Sequence, residues 1–516
     1  MMNVSAFTIQ DGATVCIRIK SDATADAVAD ATASADATAV ATASAIRAPV
    51  HFIAAADISG SMYDNNKLLN VIKSLYFMLD FMTPSDFFSL VTFDMDARIV
   101  IRQSQMTTEN KDLAKAKIQM LVPDGATNLS AAISYVHELI LADQTIKQGL
   151  LLLTDGEATV GATTTSELSA IARTLSTTYP SLTFTTVGYG IDHNAELLRA
   201  MATEGGGSYN VVQSLENVAT GFGDSLGGLK TCVFQQVRLS VPAHVTQITP
   251  YAVRAGAGGR NEIFAGDLQE GNEIFILVKN VVQGTDTLEL RASYLATGLP
   301  FNQTVPILPL WEAVTDEMRL AGTAAYLRSR AAAFIQDVSS MIRDIRACTS
   351  VARRNLMDRG TALLQELQAQ VLLSNTHSSK EILTLLITEI TQCMSMFADT
   401  NATSPRNLTQ NRSNMMSQHT AYLGLARGIM TQTYEDPTSR SVANHDPDFS
   451  SVFDTNTSMF SNAVQRSTSE AIRNVSLTTP LLVRSSTATA AAEEFPSSIP
   501  PPPPSPRRLV RTNTGL

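Results

Sequence analysis

Residues 50–62 read VHFIAAADISGSM, an apolar run broken only by His51 that ends at Asp57, with Ser59 and Ser61 two and four residues beyond the acid. A near-continuous apolar stretch of this length is what a parallel strand covered on both faces requires. The residues after it pose a chemical question. One acid and two hydroxyls at alternate positions turn three oxygens the same way. A nucleophile needs one hydroxyl and a base, and a phosphate cradle wants glycines and backbone N–H groups. Three oxygens suit a hard cation.

Downstream, the pattern alternates between helix and strand. Leu68, Leu69, Ile72, Leu75, Met78 and Leu79 mark one face of a helix over 67–82. FFSLVTF (87–93), ARIVIR (97–102), GLLLLT (149–154), LTFTTVG (182–188) and SYNVV (208–212) read as strands. Helical patterns near 108–121, 129–142, 165–178, from Asn194 and near 215–229 fall between or after them. The sequence therefore predicts a doubly wound, Rossmann-like α/β domain over 47–229, whose binding site lies beyond the carboxyl ends of the strands at a switch in strand order.

The flanks differ in texture. VCIRIK (15–20) alternates like a half-buried strand and has no sheet of its own within 1–21. From Ala23 to Ala45 every second residue is alanine, which gives a strand face too little area to bury, so 22–46 reads as a low-complexity linker. Over 230–310 the period becomes two, in short strands with turns between them, as in an antiparallel sandwich. An unpaired strand would leave backbone groups unsatisfied, so VCIRIK is expected to join that sandwich, with the α/β domain inserted in it. Residues 311–435 carry helical stripes, including Leu327, Phe334 and Val338 and then Leu363 and Leu367. The remainder, 436–516, is polar, Pro-rich and expected to be largely disordered; it holds a P-x-x-P-x-R match at Pro503, Pro506 and Arg508 that would suit an SH3-type domain.

Bulk composition narrows the function classes. A chain of 516 residues needs several domains. With 17% charged residues and a net charge of −10, it lacks the basic footprint of a nucleic-acid binder. Neither a secretory leader nor a run long enough to span a membrane is visible. Cys16, Cys232, Cys348 and Cys393 are scattered, without paired spacing. The expectation is a cytoplasmic protein.

Two further segments complete the oxygen set. Thr127 lies in PDGATNLS just before a helix, and Asp155 follows GLLLLT in LLTDGE. Asp57, Ser59, Ser61, Thr127 and Asp155 form an all-oxygen set that favours Mg²⁺ or Mn²⁺ over zinc and leaves a position open. The order DxSxS, then a Thr-Asn loop, then TDG resembles the von Willebrand factor type A domain with its metal-ion-dependent adhesion site. In that family the serines and threonine ligate the metal, the aspartates act directly or through water, and a partner's carboxylate fills the open position. Carried over, these roles fall on Ser59, Ser61, Thr127, Asp57 and Asp155. The strand before and the sandwich after resemble inter-α-trypsin inhibitor heavy chains, and also plant and protist proteins, some of them RING-type ubiquitin ligases. Four isolated cysteines cannot build a RING, which needs eight paired ligands.

Other motifs carry blander readings. Gly223-Asp224-Ser225-Leu226 spells a GDSL hydrolase block, but a nucleophile elbow needs a strand before it and a helix after, and here a helical stretch precedes. Asp192 and His193 precede a helix and read as a cap with a solvated histidine. The sequence thus points to a non-enzymatic interaction module that grips a partner's Asp or Glu through the ion. The alternative is an enzyme-associated role, as a ligase-related adaptor without its own RING or an esterase using Ser225.

Overall fold

The structure, a computed structural model, describes residues 2–9, 13–21, 49–155, 158–189, 193–212, 225–248, 251–308, 314–343, 350–373 and most of 380–395. The Ala-alternating segment 22–46, Asp192, Cys348, Cys393 and the tail with Pro503, Pro506 and Arg508 lie outside the described residues.

Strands β1 (Met2–Thr8) and β2 (Thr14–Ser21) form a hairpin. The α/β part follows as β3 (Val50–Asp57), α1 (Lys67–Phe81), β4 (Phe87–Phe93), β5 (Ala97–Gln105), α2 (Thr108–Gln119), α3 (Leu129–Val136), β6 (Lys147–Thr154), α4 (Thr165–Thr178), β7 (Leu182–Tyr189), α5 (Ala195–Glu204) and β8 (Gly206–Val212). The chain returns through β9 (Cys232–Pro242), β10 (Thr246–Gln247), β11 (Ala252–Ala255), β12 (Arg260–Gln269), β13 (Glu273–Lys279), β14 (Leu288–Tyr294), β15 (Pro300–Val305) and β16 (Ile307–Leu308). Helices α6 (Asp316–Arg343) and α7 (Ser350–Leu373) complete the assigned elements.

The α/β sheet has the order β5-β4-β3-β6-β7-β8, with only the edge strand β5 antiparallel to its neighbour. Every residue of β3 and β6 is buried, which explains their apolar runs. Successive side chains face opposite sides. Phe52, Ala54 and Leu151 pack with Val71, Leu75 and Ile118 on one side, while Ile53, Ala55 and Leu152 pack with Ile133, Leu168 and Leu198 on the other. Strand order reverses at β3, with β4 on one flank and β6 on the other, so the switch point lies between β3 and β6.

The sandwich consists of two five-stranded sheets, β10-β13-β2-β1-β16 and β11-β12-β9-β14-β15. Strand β2 pairs antiparallel with β13, from Thr14 opposite Lys279 to Lys20 opposite Glu273. The chain therefore leaves the sandwich after β2, builds the α/β domain and returns at β9. Strand β1 went unrecognised in the sequence pattern, because its small and polar residues give little alternation. Ile17, Ile19, Phe234, Leu239, Ile276 and Leu290 share the core between the sheets. Helix α6 covers the outer face of the β2-containing sheet, where Ala325 packs with Phe7, Cys16 and Phe275. Gly322 permits that approach, since a Cβ there would lie 2.6 Å from the Phe7 ring.

Polar contacts join the two domains. Lys147 Nζ lies 2.7 Å from Asp267 Oδ2, with side-chain exposures of 1% and 9%. Asp267 also accepts from Thr183 Oγ1 at 2.6 Å. Gln236 donates to the carbonyls of Ser176 and Pro180, and Arg254 donates to that of Glu204 while lying over the Phe264 ring. Asp86 holds both crossings between the domains. Its Oδ1 accepts from the N–H of Val50, where the chain enters, and its Oδ2 pairs with Lys230, where it leaves. Among the described residues no helix is long and apolar enough to cross a membrane.

Candidate metal centre

Three loops converge at the carboxyl ends of β3, β4 and β6. Asp57 ends β3 and is fully buried. Its Oδ1 accepts from the Ser59 N–H at 2.8 Å and its Oδ2 from Thr154 Oγ1 at 2.5 Å. Desolvation pushes this carboxyl up to about 6, against the pull of its hydrogen bonds to Ser59 and Thr154, and the nearby Asp155 charge adds to the rise. Ser59 is buried and its Oγ lies 3.2 Å from Ser61 Oγ, while Ser61 is exposed. The chain then winds into a 3-10 segment, Gly60–Asn66, that leads directly into α1.

The Thr127 loop is held against this segment through its backbone. Gly60 N–H donates to the Gly125 carbonyl at 3.0 Å and Asp124 N–H to the Ile58 carbonyl at 2.7 Å. Gly125 has a φ of +75°, a left-handed backbone conformation that L side chains rarely adopt, so this turn favours glycine. Thr127 is buried; its N–H donates to Thr159 Oγ1, and its carbonyl accepts from the N–H groups of Thr159 and Val160. Asn128 caps α3 by accepting from Ala131 N–H and donates to the Met95 carbonyl. Asp155, one residue beyond β6, is buried, and its Oδ2 accepts from Lys67 Nζ at 2.9 Å.

All five residues expected from the sequence therefore lie on neighbouring loops at one sheet edge. Lys67 and Thr154 were missed. Thr154 looked like one more β6 residue. Lys67 had a signal: it opens a helix with no acid in its first turn, where the dipole disfavours a cation. The donor set fits a divalent ion. Asp57 and Asp155 supply charge, the hydroxyls of Ser59, Ser61 and Thr127 supply neutral oxygens, and Asp155 already holds one cation, the Lys67 ammonium. Among the described residues no group of three or more His, Cys, Asp or Glu converges on a possible metal position, so an ion here depends on the hydroxyls.

The remaining candidates stand apart. His193 is not solvated: it is buried, and its Nε2 bonds the Tyr209 hydroxyl, while the α5 cap is Asn194, which accepts from Leu197 N–H. The sequence reading missed this because Tyr209 reaches His193 from another strand. Ser225 is half-buried in the helical residues 225–230 and lines a cavity of about 50 Å³ with Phe52, Thr183 and Asp267; Gly223 and Asp224 lie outside the described residues. That volume admits a few waters rather than an ester, and among the described residues no histidine lines it. Ser225→Ala should leave partner binding unchanged, and a fluorophosphonate probe should fail to label the wild-type protein. Labelling that the substitution removes would establish a nucleophile there.

The family model described as von Willebrand factor type A domain matches residues 51–211. Inter-alpha-trypsin inhibitor heavy chain H2 of Sus scrofa is 24% identical over 229 residues, which cover 42% of this chain and 24% of that protein. Heavy chain H4 of Bos taurus is 26% identical over 243 residues, 45% of this chain and 26% of its own length. The chain thus spans about a quarter of these relatives. The fold is similar to a solved von Willebrand factor type A protein from Catenulispora acidiphila, with a TM-score of 0.54 at 15% identity, over 82% of this chain and 96% of the other. Motif order, the doubly wound sheet and the family match agree: this chain carries a von Willebrand factor type A domain.

Proposed function

We propose that the α/β domain is a protein-interaction module whose metal centre grips an acidic side chain of a partner. The observation that carries this reading is the burial of Asp57, Ser59, Thr127 and Asp155 together at the switch point, where a purely structural loop cluster has no need of two desolvated carboxylates. A divalent ion held there, Mg²⁺ or Mn²⁺, supplies an electrophile for an incoming Asp or Glu. Asp57 and Asp155 provide the counter-charge. Ser59, Ser61 and Thr127 donate hydroxyl oxygens, which neutralise little of the ion's charge and leave it attractive to an anion. Tyr63, on the 3-10 segment, and Met95, whose carbonyl accepts from Asn128, are exposed at 79% and 56% beside the centre and offer apolar contact area around the carboxylate.

Calorimetric titration with Mn²⁺ or Mg²⁺ is expected to show one site per chain. A partner captured in Mg²⁺ buffer should be lost in EDTA. Equal capture in both buffers would overturn the metal grip.

A further inference from the structure

Resting on that reading, we infer that Lys67 is a tethered cation that competes with the metal for Asp155 and sets how weakly the site holds an ion when no partner carboxylate is present. The pair is dry: side-chain exposures are 4% for Lys67 and 6% for Asp155, and Nζ approaches Oδ2 to 2.9 Å. A buried ammonium is costly to desolvate unless it is paired, so the contact holds this side chain in place. It also acts against local preference. Lys67 is the first residue of α1, where the helix dipole opposes a positive charge, and its cap, Asn66, makes no side-chain capping bond.

Charge arithmetic gives the consequence. Counting Asp57, Asp155 and Lys67 alone, the sum without metal is −1, so Lys67 balances half of the charge of these two buried acids. With a divalent ion added, the sum becomes +1. A partner's carboxylate brings it to zero. Lys67 therefore penalises the ion alone and favours the ion together with an anion. By linkage, the carboxylate must tighten metal binding by the factor with which the metal tightens carboxylate binding. Had Lys67 been an uncharged residue, the ion with Asp57 and Asp155 would sum to zero, and an acidic partner would add less.

Lys67→Gln keeps a hydrogen-bond donor for Asp155 and removes the charge; Lys67→Met removes both. With Mn²⁺ as the probe and no partner, both variants are expected to bind at least about tenfold more tightly than wild type by calorimetry, because two like-charged cations no longer share a low-dielectric site. Both should also melt lower than wild type in EDTA and gain more from Mn²⁺. A measurement on the unaltered protein covers the case in which the variants do not fold. Mass-spectrometric mapping of lysine acylation should find Lys67 protected in EDTA and reactive in saturating Mn²⁺. If wild type binds Mn²⁺ but the variants bind equally or more weakly, or Lys67 stays protected when metal is bound, the competing role is wrong while the metal centre stands. If wild type and both variants all fail to bind Mn²⁺, both readings fall.

Discussion

Replacing Asp57 by asparagine is expected to separate stability from function. The variant should bind no Mn²⁺ and capture no metal-dependent partner, yet in EDTA at pH 8 it should melt several degrees higher than wild type. The amide keeps the acceptor for Ser59 N–H, and the Thr154 hydroxyl can turn to accept from the new N–H₂. What disappears is a fully desolvated carboxylate. The folded-state value of about 6, against an ordinary 3.8, corresponds to about 3 kcal/mol of strain in the metal-free protein where the acid is ionised. Because the folded value is raised, Asp57 favours the folded state at low pH and loses that contribution as the pH climbs through about 6. The advantage of the variant should accordingly be full at pH 8, shrink as the pH falls through about 6, and close only below the ordinary carboxyl value of 3.8. An Asp57→Asn protein that melts below wild type at pH 8, or still responds to Mn²⁺, would refute this account of the site.

The second large effect lies at the other edge of the sheet. Asp267→Ala leaves Lys147 with 1% exposure and no counter-charge, and also strips the acceptor from Thr183. Breaking one side of a buried pair costs about 3–5 kcal/mol, whereas replacing both partners by apolar residues is close to neutral. Urea denaturation should show that loss for Asp267→Ala and recovery of part of it in Lys147→Met/Asp267→Leu, which removes the unpaired charge but still leaves Thr183 and the Gln236 N–H without their acceptor. Mn²⁺ affinity should not change in either, since Asp155 sits at the opposite end of β6. A single variant within about 1 kcal/mol of wild type would mean that the pair contributes little to the domain contact.

The strand-end members of the candidate site were legible because their signal is local. Asp57, Ser59 and Ser61 follow one apolar run, and Asp155 follows another; an ended strand plus an oxygen side chain is readable without knowing the sheet order. The β2–β13 pairing was legible for a different reason, the need of an isolated alternating strand for a partner. Three features were not. Lys67 belongs to an amphipathic helix in which a lysine ordinarily reads as solvated, and only the approach of the loop after β6 turns it inward. His193 required Tyr209. Lys147 and Asp267 look like a strand terminus and a polar position in a sandwich strand until the domains meet. Each is a contact between residues distant in sequence, and periodicity carries no information about such contacts.

Strand β6 has one further consequence, a mechanical one. The proposed attachment to a partner is at Asp155, at one end of this strand, while the tie to the sandwich through Lys147 is at the other. Both chain crossings are clasped by Asp86 at that second end, where Val50 lies opposite Lys147. Tension between a bound partner and the rest of the chain would run along β6 and its neighbours rather than across them. Strand β6 is hydrogen-bonded to β3 from Lys147 to Leu153 and to β7 from Gln148 to Thr154, so a pull in that direction strains the backbone bonds of two ladders in parallel instead of opening them one at a time. The inserted domain is thereby mounted like a link in a chain, gripping at one end and anchored at the other, with its stiffest element aligned between them.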